Sequence, residues 1–395
     1  MFAHDIAEKT RERLIEGNDN WWFLGPGGTA RLNRSHVRGD GTLTTAAEQE
    51  LRERGLYTEA PPRAYGLTVL TSTDCNLGCA YCFQNTGQDP TGGNRPPRIA
   101  HARLTSQVIT SALEFAGRKM ASAGLDKLRL TVFGGEPLLN PRGCTELLER
   151  AADYGMTSAQ MISNLTLLTP QLAKRLADSG LSSIQVTFDG DRADHDQIRV
   201  RRSGGGSFDS IVRNMARASE VTSLRWLMRV NVSHHNKRGI NDLLARLGES
   251  LDPSRCIVYF ARVADVGIGY ANDLGHTEDF AELFLGWHRQ VIEAGFAVPR
   301  PGAYPACATC SYRGGRFGAV VNADGTLSSC WDTAGRDGWD VGTIESGYRP
   351  DREIDDRWVT CTDANNYAGG QAAWDSFQDR VDAALLDYLA RVKRL

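Results

Sequence analysis

The chain has 395 residues, 41% hydrophobic and 24% charged, a globular composition too long for one small core. Its formal net charge of -3 gives no general pull toward nucleic acid or anionic lipid, and no run of about 18 apolar residues offers a membrane-crossing helix. Met1 to Arg13 is charged and lacks the apolar centre of a signal peptide, so the expected location is cytoplasmic, where nine cysteines, odd in number and clustered, point to metal ligation more than to disulfides.

The chain reads as three regions in order. Residues 1–63 form a small α+β head: a charged helix from Ile6 to Glu16, a hairpin pairing Trp21–Leu24 with Ala30–Asn33 around Gly25-Pro26-Gly27-Gly28, a helix from Thr45 to Arg54, and Pro61-Pro62 as linker. Residues 64–300 alternate strands and helices. The strands are Leu67–Ser72, Leu128–Phe133, Gln160–Asn164, Ser183–Phe188, Arg225–Ser233 and Cys256–Val263. The helices include Leu104–Ser122, Cys144–Tyr154, Pro170–Ser179, Phe208–Ser219 and Ile240–Gly248. Thr169-Pro170 supplies an N-cap and first-turn proline, and Ser207 a second N-cap. Six such units predict an α/β fold, a partial (β/α)6 TIM-like barrel. Residues 301–395 are a cysteine-rich tail, with a hairpin of Phe317–Ala323 and Thr326–Cys330 turned at Asp324-Gly325, and a closing helix from Gln371 to Leu395.

Chemistry in such barrels gathers at the carboxyl ends of the strands. There the sequence places Cys75, Cys79 and Cys82, then Gly134-Gly135-Glu136-Pro137, Asn164 and Asp189-Gly190. Three thiolates spaced C-x3-C-x2-C on one loop can hold three corners of a cubane iron–sulfur cluster, which would leave the fourth iron open. A structural zinc site wants four protein ligands, and no fourth cysteine lies nearby, Cys144 being the nearest. The fourth strand alternates: Ile184, Val186 and Phe188 on one face, Gln185, Thr187 and Asp189 on the other. A polar face on a buried parallel strand is costly unless it lines a site. Arg229 and Asn231 share a face of the fifth strand in the same way. Cys144 and Cys256 fit small buried hydrophobes. Cys256 and Arg262 are also weighed as catalytic candidates, the thiol as a hydrogen donor and the arginine as a holder of a carboxylate or carbonyl.

The C-x3-C-x2-C loop, with Tyr81 and Phe83 flanking its last cysteine, together with Gly134-Gly135-Glu136-Pro137, resembles the radical S-adenosylmethionine (SAM) superfamily. The resemblance implies a [4Fe–4S] cluster on Cys75, Cys79 and Cys82 whose open iron binds SAM, and reductive cleavage of SAM to a 5′-deoxyadenosyl radical that removes hydrogen from a substrate. It further implies SAM contacts at Tyr81, Phe83, Gly134, Gly135, Glu136, Pro137, Ser163, Asn164, Thr187, Arg199 and Asn231. Gly134 and Gly135 would admit backbone close to the methionine ammonium and Glu136 would add negative charge there. For Arg199 a SAM-carboxylate contact and a surface arginine beside Arg201 and Arg202 stay open.

Asp189-Gly190, His195-Asp196, Arg199 and Gly204-Gly205-Gly206-Ser207-Phe208, with Gly325-x4-Cys330 in the tail, resemble the subgroup with a SPASM or shorter twitch tail. The subgroup implies one auxiliary [4Fe–4S] cluster on Cys307, Cys310, Cys330 and Cys361, a precursor-peptide substrate, and a flavodoxin or ferredoxin-type reductant. The head resembles a shortened peptide-recognition element, with a structural cap on the barrel as its alternative. The expected activity is oxidative cross-linking of residues in a ribosomally made peptide. The alternatives are a sulfatase (formylglycine) maturase, a peptide epimerase and a small-molecule dehydrogenase. A non-catalytic iron–sulfur protein is the reading from a different class.

Overall fold

The computed structural model describes residues 11–263, 268–270, 278–304, 312–358 and 370–395. The head is a three-stranded antiparallel sheet, β1 (Arg13–Glu16), β2 (Trp21–Gly25) and β3 (Gly28–Leu32), followed by helix α1 (Thr45–Glu53). The hairpin stands where the turn residues place it, with Trp21 opposite Leu32 and Phe23 opposite Ala30. Of the charged helix expected over 6–16, residues 6–10 lie outside the described residues, and the rest is corrected: Arg13–Glu16 is a strand, in register with Trp21–Leu24. A four-residue segment is helical or extended according to its partner, and β2 supplies one.

Six parallel strands follow: β4 (Tyr65–Ser72), β5 (Leu128–Gly134), β6 (Met156–Ile162), β7 (Leu181–Phe188), β8 (Arg225–Val232) and β9 (Cys256–Arg262), adjacent in that order. Between them run α2 (Ser106–Ala123), α3 (Pro141–Ala151), α4 (Pro170–Asp178), α5 (Arg192–Ile198), α6 (Phe208–Val221) and α7 (Ile240–Ser250); α8 (Glu278–Glu293) follows β9. This is an α/β partial barrel. Its main core lies between sheet and helices, where Ile184, Val186 and Phe188 of β7 and Trp226, Met228 and Val230 of β8 are buried. The alternate residues, Gln185, Thr187, Leu227 and Arg229, are half-buried on the inner face.

Local capping sets several helix starts: Thr105, Asn140 and Thr169 each accept a backbone N–H three residues on. Ser207 precedes α6 as expected but makes no side-chain cap. The carboxylate of Asp196 takes that role, accepting the backbone N–H groups of Ser207 (2.7 Å) and Phe208 (2.9 Å). The third strand begins four residues earlier than the sequence suggested, so Ser163 and Asn164 follow β6 rather than end it.

The tail joins the same sheet. Strand β10 (Gly318–Val321) pairs parallel with β4, and β11 (Thr326–Ser328), β12 (Asp340–Thr343) and β13 (Gly347–Tyr348) continue antiparallel. After the short helix α9 (Asp351–Ile354), helix α10 (Gly370–Arg391) packs on α8 and on the head. Ile15, Trp22 and Leu24 meet Ala383 and Leu386. Arg13, 5% exposed at its side chain, pairs with Asp379 (2.6 Å) and Asp382 (2.7 Å).

His288 on α8 contacts the Phe284 carbonyl through Nδ1 at 2.8 Å, with its ring edge-on to Phe260. Burial holds the imidazole neutral, its pKa pushed down to about 4. The unfolded chain, with a histidine near 6.5, binds more protons between those values. Stability therefore falls as pH drops from about 6.5 to about 4, by roughly 3 kcal/mol for this group, and levels off below. Urea unfolding at about pH 7.5 and about pH 5 should show this loss shrink in a His288→Leu variant.

Candidate functional site

The cysteine loop leaves β4 at its carboxyl end and is fastened first to the end of the neighbouring β5. Gly135 N donates to the Ser72 carbonyl (2.8 Å) and Glu136 N to that of Asp74 (2.8 Å). These contacts dictate the two glycines. A Cβ on Gly134, whose φ is +147°, would lie 2.2 Å from the Ser72 oxygen, and one on Gly135 2.4 Å from that of Asp74. In the structure the pair lets the β5 end close on the cysteine loop.

Glu136 is fully buried. Its Oε1 accepts from Leu138 N (2.9 Å) and Ser163 Oγ (2.7 Å), and Oε2 from Asn164 N (2.7 Å). Burial raises its carboxyl pKa, and these three donors pull the other way. Its charge therefore first joins the β5 end to the β6 end. Pro137 opens the single turn that follows, inside which Leu138 donates. Asn164 Nδ2 donates to Asn76 Oδ1 (2.8 Å) and reaches Cys75 Sγ (3.7 Å). Asn164 thus binds the cysteine loop to the β6 end, Ser163 ties that end to Glu136, and the next residue, Leu165, is held at φ +59°.

A second polar group joins the loop to β7 and β8. Tyr81 Oη donates to Asp189 Oδ2 (2.8 Å) and accepts from Arg199 Nη1 (2.8 Å) and Asn231 Nδ2 (3.0 Å). Asp189 is fully buried and the Arg199 side chain 12% exposed. The surface alternative for Arg199 is thereby excluded. Arg199 is positioned through His195: the ring's Nδ1 accepts from Asp189 N (3.3 Å), its Nε2 meets Ser207 Oγ (3.0 Å), and that hydroxyl donates to the Arg199 carbonyl (2.9 Å). This geometry needs a neutral imidazole protonated on Nε2. Burial and the Arg199 charge hold its pKa well below the usual histidine range.

The three thiols lie close enough to influence one another. Burial pushes Cys75 up to about 11, opposed mainly by Arg98, and Cys79 up to about 12, opposed mainly by Arg199. Among the described residues no three His, Cys, Asp or Glu side chains are spaced for a single metal ion; a cubane spreads its thiolates wider than one ion does. Asp189 Oδ1 and Arg199 Nε are both buried without a partner among the described residues. An unpaired acceptor and an unpaired donor beside the thiols fit a ligand carrying both an ammonium and a carboxylate.

Thr187, half-buried on the inner face of β7, stands in register beside Arg229. Phe83 stacks on Phe133 at 6.0 Å and packs with Leu70, Ile162, Val320 and Ala334 in an apolar inner wall.

Two candidates are moved away. Cys256 is buried at the amino end of β9, its Sγ 3.3 Å from the Asp252 carbonyl. That is the end opposite the cysteine loop. Arg262 faces outward with Val258 and Phe260 toward the helices, its guanidinium 3.4 Å from the Trp374 ring centre and 4.8 Å from that of Phe377. The inner face of β9 carries Tyr259 instead, in register beside Arg229, whose charge opposes the upward push of burial on the phenol. From the tail, Asp332 also approaches Arg229, burial raising its carboxyl pKa against the pull of Arg229 and Arg336. Motifs in the sequence miss both residues. Tyr259 lies on a strand whose two faces look alike in the sequence, and Asp332 stands two residues past Cys330. Cys330 is buried; Cys307, Cys310 and Cys361 lie outside the described residues.

The parallel partial barrel thus brings three thiols to one strand end, beside the buried pair of Asp189 and Arg199. Residues 69–247 match the model of the Radical SAM superfamily, and the chain carries that domain. Fe-coproporphyrin III synthase of Methanosarcina barkeri is 26% identical over 225 residues, covering 56% of this chain and 51% of that protein. Mycofactocin maturase MftC of Mycolicibacterium smegmatis is 28% identical over 239 residues, covering 60% and 53%. The chain thus spans about half the length of these curated relatives. Native anSMEcpe with bound AdoMet and Cp18Cys peptide shares the fold, with a TM-score of 0.60 at 15% identity over 84% of this chain and 99% of that one. Among the described residues no helix is long and apolar enough to cross a membrane.

Proposed function

We propose that this chain is a radical SAM enzyme that oxidatively modifies a residue of a ribosomally made peptide, forming a cross-link between side chains. The observation that carries the radical SAM assignment is the fastening of the Cys75, Cys79 and Cys82 loop to four strand ends at the mouth of the barrel. With a [4Fe–4S] cluster on those thiolates and SAM at its open corner, the chemistry supplied is one-electron cleavage of the sulfonium, leaving a carbon radical that takes hydrogen from substrate.

The chain's own residues bind and orient. Arg199 Nε and Asp189 Oδ1 offer the unpaired donor and acceptor for the amino-acid end of SAM. Tyr81 and Asn231 lock those two side chains in place. Thr187, Arg229, Tyr259 and Asp332 offer polar groups to a substrate, beside the apolar wall of Phe83 and Phe133. Peptide as substrate class takes support from a relative named a maturase and from a peptide held by a protein of the same fold. We read Cys330 with Cys307, Cys310 and Cys361 as the residues that would hold one auxiliary cluster, which would supply an acceptor for the electron released on product formation. A flavodoxin or ferredoxin-type protein would supply the first electron. The head is read as a peptide-recognition element; β3 is an edge strand of its sheet among the described residues. The epimerase reading loses its thiol candidate with Cys256 at the wrong end of β9.

The test is anaerobic reaction of the reconstituted protein with a peptide encoded beside its gene, read by mass spectrometry. The expected product is lighter by two hydrogens and appears with 5′-deoxyadenosine. The wild type should carry about eight irons and a Cys330→Ala variant about four. No deoxyadenosine from the loaded, reduced protein refutes the class, and four irons in both proteins refutes the auxiliary cluster.

A further inference from the structure

After Cys82 the chain runs out through a glycine- and proline-rich lobe and returns to the thiols at Arg98. Three contacts close the lobe: the backbone N–H of Ile99 donates to the Gln84 carbonyl (3.1 Å), that of Thr86 to the Pro97 carbonyl (2.9 Å), and Asn85 bridges Arg98. The guanidinium so delivered has few ways to move. Nη2 donates to the Thr73 carbonyl (3.1 Å) and to Gln84 Oε1 (2.7 Å). Nη1 donates to Asn85 Oδ1 (3.4 Å) and to Cys82 Sγ (3.6 Å). Nε is buried and has no partner among the described residues. No carboxylate among the described residues accepts from Arg98. A fixed cation with one donor on a ligand sulfur and a second buried donor left over is costly unless something negative completes it.

We propose that Arg98 is the positioning residue that sets the reduction potential of the group held by Cys75, Cys79 and Cys82, through its charge and its hydrogen bond to the Cys82 sulfur. The inference rests on the reading of those cysteines as cluster ligands. One-electron reduction by a low-potential donor adds one negative charge beside the guanidinium and makes or breaks no bond. A nearby cation and sulfur-directed donors favour the reduced form and raise the potential. Arg98 therefore makes the first electron easier to accept, while the thiolate ligands themselves stay unchanged.

The test is a redox titration of the reconstituted protein, followed by electron paramagnetic resonance on the signal that SAM perturbs, with iron content measured alongside. Arg98→Gln should bind iron at the wild-type level and shift the midpoint negative by at least a tenfold weaker reduction equilibrium, ~59 mV for one electron. Arg98→Lys, which keeps the charge and loses the planar fork, should recover part of that shift. Gln84→Glu sacrifices no hydrogen bond, because Gln84 Nε2 has no partner among the described residues, and it neutralises Arg98 in place; its midpoint should also move negative. An unmoved midpoint in loaded Arg98→Gln overturns the proposal. If that variant binds no iron, unmoved midpoints in both Arg98→Lys and Gln84→Glu overturn it. A wild-type protein that binds no iron through Cys75, Cys79 and Cys82 refutes the cluster reading instead.

Discussion

Cys79→Ala is expected to lose about four irons per chain and to form 5′-deoxyadenosine only at background. Cys79 is 8% exposed and sits at the centre of the loop. Its backbone carbonyl takes the N–H of Cys82 (3.2 Å) and the side chain of Asn85 (3.0 Å). Those contacts do not involve sulfur, so alanine leaves the loop closed and removes only the ligand. Two thiolates cannot hold a cubane that three were placed to hold. Cys144→Ala is the control: its thiol is buried against Pro137 and Thr71, and its loss should leave iron and product intact. Iron analysis and chromatography of the reduced mixture decide the matter, and deoxyadenosine from Cys79→Ala would refute the assignment of the site.

Arg199→Met is expected to destabilise the fold by about 3–5 kcal/mol and to abolish turnover. Asp189 has no solvent exposure, and Arg199 is the cation that faces its Oδ2, 3.5 Å away, beside Tyr81. Removing it leaves a buried carboxylate with only neutral donors, which costs far more than an exposed ion pair is worth. The double variant Arg199→Met with Asp189→Asn removes the stranded charge and should recover much of the stability but none of the activity. Denaturant unfolding of both variants checks this, and a single variant as stable as wild type would show that the pair is dispensable to the fold.

Much of the site is legible in the chain's local patterns. The three cysteines, the two glycines and Glu136 are short motifs, and β7 announces its inner face because polar and apolar residues alternate along it. β9 offers no such choice. Cys256, Val258 and Phe260 are apolar, and so are Ile257 and Ala261 on the other face, so alternation names two faces without saying which looks inward. Helix α8 settles it by packing on Phe260, which turns Arg262 away from the lumen. The helix expected at 6–16 failed for a related reason: Arg13–Glu16 has no strong local preference, and its strand exists because β2 lies beside it.

By itself the sequence determined a parallel α/β frame, three thiols at the first strand end and an acid-and-glycine turn at the second, because each is written in neighbouring residues or in a period of two. The tertiary structure alone decided that Glu136 joins two strands, that Arg199 is buried on Asp189 and Tyr81, that the tail extends the barrel sheet, and that Arg98 returns to the thiols. Each of these depends on which distant segment arrives beside a given side chain, and burial against that segment fixes what its charge can do.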